Sequence, residues 1–117
     1  MATKPLPAIQ ALIHTYDQLM ESASPAAAVA ALYAYEAQVP EIARSKREGL
    51  QRFYDLTTPS AVAYFTLHEE ADLRHRAEWS SHLATHSSEP TILPTVERCL
   101  RALWSALDAI HPEACAA

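Results

Sequence analysis

The segment HEEADLRHRAEW, residues 68–79, places imidazoles and a carboxylate on a helix where apolar side chains are expected. At 100° per residue, His68, Asp72 and His75 fall within about 60° of arc on one face. Two imidazole nitrogens and one carboxylate on one face form a donor set that can hold a metal ion. The alternative left open by the residues themselves is a face of hydrogen-bonded histidines that packs in a core or meets water.

A fourth candidate donor, Glu36, stands in the apolar stripe of the preceding helical segment, where an unpaired carboxylate is costly. Pro40 follows four residues later and has no N–H, so the carbonyl of residue 36 loses its helical partner. We therefore predict a kink or break near Pro40 that turns Glu36 toward the helix of His68, Asp72 and His75. The combined imidazole–carboxylate set suits iron or manganese, held between facing helices. A solvated or salt-bridged Glu36 is the simpler alternative.

Composition bounds the fold class and the class of partner. Residues 1–117 are predicted to form a single domain, and the abundant alanine with one glycine favours helices. The net charge of −5 argues against nucleic acid or an anionic membrane as the main partner. Cys99 and Cys115 make no disulfide framework, which is consistent with a reduced, cytoplasmic location. No stretch is long and apolar enough to be a signal peptide core or a membrane span.

Hydrophobic periodicity predicts an all-α protein of four helical segments and no sheet. Ser24 is the predicted N-cap of the second segment, with Pro25 at its first position. Arg76 and Glu69 are predicted to lie on solvated faces, Trp79 and Trp104 to be core aromatics, and Cys99 to be a buried small residue. The four predicted segments are about 7–22, 25–54, 61–86 and 94–110, with Pro112 closing the last.

Two stretches carry a family resemblance: LYAYEAQVPEIARSKREGL, residues 32–50, and YFTLHEEADLRHRAEW, residues 64–79. They resemble the C-terminal half of the heme-oxygenase-like dimetal (diiron) oxidases. Within that superfamily they are most similar to the branch of the chlamydial death-domain-associating protein and para-aminobenzoate synthase, related to PqqC and TenA. The pattern YExQxP, then K..GL, then YFxxHxxxDxxH is matched in order and spacing.

The resemblance implies a fold, a cofactor and a set of site residues. The fold would be the four-helix portion of a heme-oxygenase-like helical bundle, with the second helix kinked near Pro40. The family binds two metal ions, commonly iron with manganese as an alternative, and activates dioxygen. Its branch is implicated in making para-aminobenzoate for folate biosynthesis from a tyrosine of the protein itself. By this resemblance Glu36, His68, Asp72 and His75 are the metal ligands, Lys46 corresponds to an amino-group donor, and Tyr35 to a tyrosine beside the metal.

The resemblance also implies a chain about twice as long, whose first helices carry the remaining glutamate and histidine ligands. Nothing in residues 1–35 supplies that second pair in matching order. Partial metal occupancy is therefore expected, together with either a homodimer or a missing N-terminal half as partner.

Two function classes follow from this reading. One is a non-heme iron oxidase, or a fragment of one, that uses dioxygen and a reductant. The other is a metal-free helical interaction module or homodimer that retains the ligand pattern without activity. A thiaminase or PQQ-type activity fits the HxxxDxxH triplet less well.

Overall fold

The computed structural model describes the backbone of residues 3–22 and 24–116. Within these residues the chain forms α-helices joined by short loops and contains no strand, which confirms the all-α prediction. No helix in these ranges has the length and apolar character needed to cross a membrane. In chain order the helices are α1 (Pro7–Ser22), α2 (Pro25–Glu36), α3 (Val39–Tyr54), α4 (Pro59–Thr85) and α5 (Ile92–Ala116).

The second predicted segment is broken into α2 and α3, as its proline predicts. The N–H of Ala37 donates to the Tyr33 carbonyl at 2.9 Å and that of Gln38 to the Tyr35 carbonyl at 3.4 Å, so the last turn tightens before the break. Pro40 lies in the first turn of α3, where its missing N–H has no helical partner to lose. Its ring is fully buried, which ties the break to the packed interior.

The helix ends follow local signals, with one exception. The N–H of Ala27 donates to the Ser24 hydroxyl at 3.2 Å, which confirms the predicted N-cap of α2. The prediction that Pro112 closes the last helix is wrong, because α5 continues to Ala116. Pro112 removes one helical N–H donor, and the helical backbone nevertheless continues beyond it.

The alanine-rich helix α2 lies at the centre of the fold and packs against both α4 and α5. Its five buried residues are all small: Ala26, Ala27, Ala30, Ala31 and Ala34. Because alanine presents little more than backbone, neighbouring helices can approach α2 closely. On the α1–α5 side the core includes Leu19 and the fully buried Cys99, as predicted for this cysteine. The Tyr16 hydroxyl donates to the Ala31 carbonyl at 3.0 Å across this interface.

On the other side of α2, helices α3 and α4 pack as a pair. Ala43 and Val62 are buried between these helices. The guanidinium of Arg47 donates two hydrogen bonds, of 2.6 and 3.0 Å, to the carboxylate of Glu69. The prediction that Glu69 lies on a solvated face is therefore wrong, since this carboxylate joins α4 to α3. The Arg47 hydrogen bonds hold the pKa of Glu69 below its usual range.

Candidate metal centre

Glu36, Asp72 and His75 meet where the end of α2 crosses the middle of α4. One donor atom from each residue lies within 4.8 Å of the others. The Nδ1 atom of His75 is 3.0 Å from Asp72 Oδ1 and 3.3 Å from Glu36 Oε2. Asp72 is the most buried of the three, with 5 % of its surface exposed. We call this group the three-residue cluster.

The local sequence explains how α2 and α4 each place their candidate metal-ligand atoms in the cluster. Asp72 and His75 are three residues apart, so the α-helix itself brings their side chains together on one face. Glu36 is the last residue of α2, where the helical ladder ends ahead of Pro40. Its side chain can therefore reach the neighbouring helix, as the broken segment predicts.

Trp79 fixes the carboxylate of Glu36. Its indole N–H donates to Glu36 Oε2 at 2.7 Å, the same oxygen that faces His75. The sequence-based reading of Trp79 as a plain core aromatic missed this contact. The available signal was position, because Trp79 lies four residues after His75 and continues the stripe of candidate ligands.

Arg76 holds the α2–α3 break in place beside the cluster. Its guanidinium donates to the Ala37 carbonyl at 2.9 Å and to Glu41 Oε1 at 3.0 Å. One side chain of α4 thus satisfies a carbonyl that the helix break leaves open. The prediction that Arg76 lies on a solvated face missed these contacts, which join a partly exposed side chain of α4 to the break that follows Glu36.

His68 lies outside the three-residue cluster. Its Nδ1 atom is 2.7 Å from the Tyr64 carbonyl, and its ring stacks on Tyr64 with centroids 4.1 Å apart. The residue shares the face of α4 that carries Asp72, one turn earlier, but its ring is engaged with its own helix. Ligation by His68 stays a prediction.

A cavity of about 490 Å³, which we call the trough, opens beside the cluster. None of the three cluster residues lines it, but Tyr35 and His68 do, and they precede Glu36 by one residue and Asp72 by one turn. Lys46 also lines it, so Tyr35 and Lys46 border one space although the helix break separates them. The trough receives residues from all five helices: Ile9, Leu12, Tyr35, Gln38, Val39, Ile42, Ala43, Lys46, Tyr64, Phe65, His68, Leu100, Leu103, Trp104, Ala106, Leu107 and Ile110.

The chemistry of the three-residue cluster fits a divalent cation. The neutral imidazole of His75 has one N–H, yet its Nδ1 atom faces oxygens of two carboxylates. With that imidazole neutral, Glu36 and Asp72 leave two negative charges close together and partly buried, which is costly without a cation. Mixed imidazole and carboxylate donors suit iron or manganese better than a thiolate-rich or all-oxygen site would.

Comparisons with known proteins agree with this chemistry. A family model described as an iron-containing redox enzyme matches residues 2–109. The 4-aminobenzoate synthase of Nitrosomonas europaea is 36% identical over 115 residues, which cover 95% of this chain and 47% of that protein. The 4-aminobenzoate synthase of Chlamydia trachomatis is 36% identical over 117 residues, covering 97% of this chain and 51% of that protein.

A further 4-aminobenzoate synthase, from Chlamydia pneumoniae, is 31% identical over 103 residues, covering 86% of this chain and 46% of that protein. The chain thus spans about half the length of the curated relatives it matches. The family match extends over almost the whole chain and includes all three residues of the cluster. This chain belongs to the family of iron-containing redox enzymes.

Proposed function

We propose that this chain forms the metal-binding part of an iron-dependent oxidase that uses dioxygen in the formation of 4-aminobenzoate. The observation that carries the proposal is the three-residue cluster, whose neighbours Tyr35 and His68 line the trough. The names of the relatives support the product, and the family supports the metal.

Each residue of the cluster has a defined role in this proposal. Glu36 and Asp72 would be the anionic donors and His75 a neutral nitrogen donor, and His68 would join them if its ring turned away from Tyr64. Iron bound there would supply the one-electron chemistry that reactions of dioxygen require. Trp79 orients the Glu36 carboxylate through its 2.7 Å hydrogen bond, so that less order is lost when the ion binds.

The trough suits an aromatic ring, because its walls are mostly apolar and carry few polar groups. 4-Aminobenzoate is a benzene ring that carries a carboxylate and, opposite it, an amino group, so its formation needs a substituted ring and a nitrogen source. We assign the nitrogen to the amine of Lys46 and a contact with the reacting ring to Tyr35. Both residues line the trough, and Tyr35 directly precedes Glu36.

Metal binding is tested by anaerobic titration with ferrous iron. We expect saturable binding that weakens at least about 10-fold in His75→Ala and in Asp72→Asn, because each removes a donor from a small set. His82→Ala is the matched control, since His82 is an exposed histidine on the same helix. Equal iron binding by His75→Ala and the parent chain would remove the cluster from the metal site. No binding by the parent chain would favour the metal-free interaction module.

The role of Lys46 is tested by isotope labelling. Lys4 and Lys46 are the two lysines of the chain, so a ¹⁵N-lysine preparation labels few positions. With iron, dioxygen and a reductant, we expect ¹⁵N in the 4-aminobenzoate detected by mass spectrometry. Lys46→Arg should abolish the labelled product and Lys4→Arg should not. Unlabelled product, or full product from Lys46→Arg, would show that Lys46 is not the nitrogen source.

A further inference from the structure

The chain exposes far more surface than a closed domain of its size. Its accessible surface is 8255 Å² for a mass of 12.9 kDa. A compact monomer of that mass exposes about 6,300 Å², so the excess is roughly 1,900 Å². The radius of gyration is 16.5 Å, against about 13 Å for a compact chain of this length. Both measures indicate a molecule with an uncovered face.

That face is apolar and lies along the trough. The buried interior consists largely of alanine, whereas large side chains of α5 stay exposed: Trp104 by 62%, Leu107 by 55% and Ile110 by 46%. Tyr64, across the trough on α4, is 65% exposed. Contiguous exposed apolar side chains on this scale mark a surface that a partner covers.

The metal cluster lies beside the same face, although none of its three residues lines the trough. The side chain of His75 remains 38% exposed. Tyr64 and His75 are eleven residues apart, which is about three helical turns, so they lie on the same side of α4. His68 lies between them and lines the trough. A partner that covers the trough would therefore reach the cluster as well.

The composition of the cluster indicates what the partner supplies. Di-iron sites in helical bundles are built from one glutamate on each of two helices and a Glu-x-x-His motif on each of two others. This chain has half of that set, with Glu36 on α2 and Asp72-x-x-His75 on α4. A second copy related by a two-fold axis would supply an identical half. The two paired clusters would hold four carboxylates and two imidazoles before either His68 joins them, and the four negative charges of the carboxylates balance two divalent ions.

We propose that two copies of this chain pair through the trough face about a two-fold axis, and that the paired clusters form one two-metal site. If each copy covers its excess surface, the pair buries about 3,800 Å² in total, within the range of obligate homodimers. Two-fold symmetry suits this contact, because the same patch serves both partners. The two-metal part rests on the proposed function, whereas the pairing itself rests on the uncovered face.

Pairing is tested by sedimentation and light scattering of the metal-free chain and of the chain with manganese added. We expect a dimer at micromolar concentration that manganese tightens, because the ions bind the paired state and offset its negative charge. Trp104→Glu should weaken the dimer at least about 30-fold, as expected for a central interface residue. Ile110→Glu is a second such variant, and circular dichroism checks that both remain helical.

Phe53→Glu is the matched control, because Phe53 is 72% exposed and lies outside the trough. This variant should dimerise like the parent chain. A parent chain that stays monomeric at 100 μM with manganese would overturn the proposal, and so would equal dimerisation of Trp104→Glu and Phe53→Glu.

The two-metal site is tested by manganese paramagnetic resonance. We expect one ion per chain and a spectrum of exchange-coupled pairs, which Trp104→Glu converts to isolated ions. Isolated ions in a stable dimer would refute the shared site while leaving both metal binding and pairing intact. A dimer that binds no ion would refute the proposed function and leave the pairing standing. A monomer that binds one ion would refute the pairing and leave the metal site standing.

Discussion

Trp79→Phe tests whether the indole N–H prepares Glu36 for a metal ion. The substitution keeps an aromatic ring on α4 and removes the single hydrogen bond from Nε1 to Glu36 Oε2, which is 2.7 Å long. The carboxylate then loses the donor that holds it against His75. Its orientation must be restored when the ion binds, which weakens binding.

The size of this effect follows from the burial of Glu36. Hydrogen bonds to charged groups contribute about 1.5–3 kcal/mol. The Glu36 side chain is 23% exposed, so water can partly replace the indole, and we expect the lower end of that range. A loss of about 1.5 kcal/mol corresponds to a roughly 10-fold weaker affinity for ferrous iron. That value lies at the lower end of the roughly 10–100-fold losses seen when groups that orient metal ligands are removed.

The assay is anaerobic titration with ferrous iron, with urea unfolding of the metal-free chain measured alongside. Tyr54→Phe is the control, because Tyr54 is an exposed aromatic residue of α3 that lies outside both the cluster and the trough. Equal iron affinity of Trp79→Phe and Tyr54→Phe would show that the indole N–H does not prepare Glu36 for the ion. The same conclusion follows if the affinity of Trp79→Phe falls only in proportion to its loss of folded protein.

Three further predictions concern the packing that positions the site. Arg47→Ala should lower the urea midpoint at pH 7, and its difference from the parent should shrink in acid. The reason is that Arg47 lowers the pKa of Glu69 in the folded chain. The stabilisation by this ion pair is therefore present above the ordinary glutamate pKa and is lost as the pH falls through the lowered pKa of Glu69. A difference in urea midpoint that does not change with pH would contradict this. Ala31→Leu should destabilise the fold by about 1–3 kcal/mol in the same urea assay, because Ala31 is fully buried on α2 and a larger side chain has no room there. Ala77→Leu is the control and should be close to neutral, because Ala77 lies on an exposed face of α4. Tyr16→Phe should cost about 1 kcal/mol in urea unfolding, since it removes the hydrogen bond to the Ala31 carbonyl, and an unchanged midpoint would show that water replaces this bond.

Much of the candidate site was predictable because it depends on neighbours along one helix. The spacing of Asp72 and His75 brings them together in any α-helix. Pro40 predicts the break that leaves Glu36 at a helix end, because a proline has no N–H and so removes one backbone hydrogen bond from any helix that contains it. The N-cap at Ser24 is equally local. These features need only the periodicity of the helix and the chemistry of single residues.

The contacts between helices were decided by the tertiary structure. Trp79 and Glu36 are 43 residues apart in the sequence, and their hydrogen bond exists only because α4 crosses the end of α2. Arg76 contacts the Ala37 carbonyl for the same reason. His68 shares the stripe of Asp72, yet its ring stacks on Tyr64 instead of joining the cluster. Helical spacing determines which face a side chain occupies, whereas its rotamer and its partner depend on how the helices pack, which no local pattern specifies.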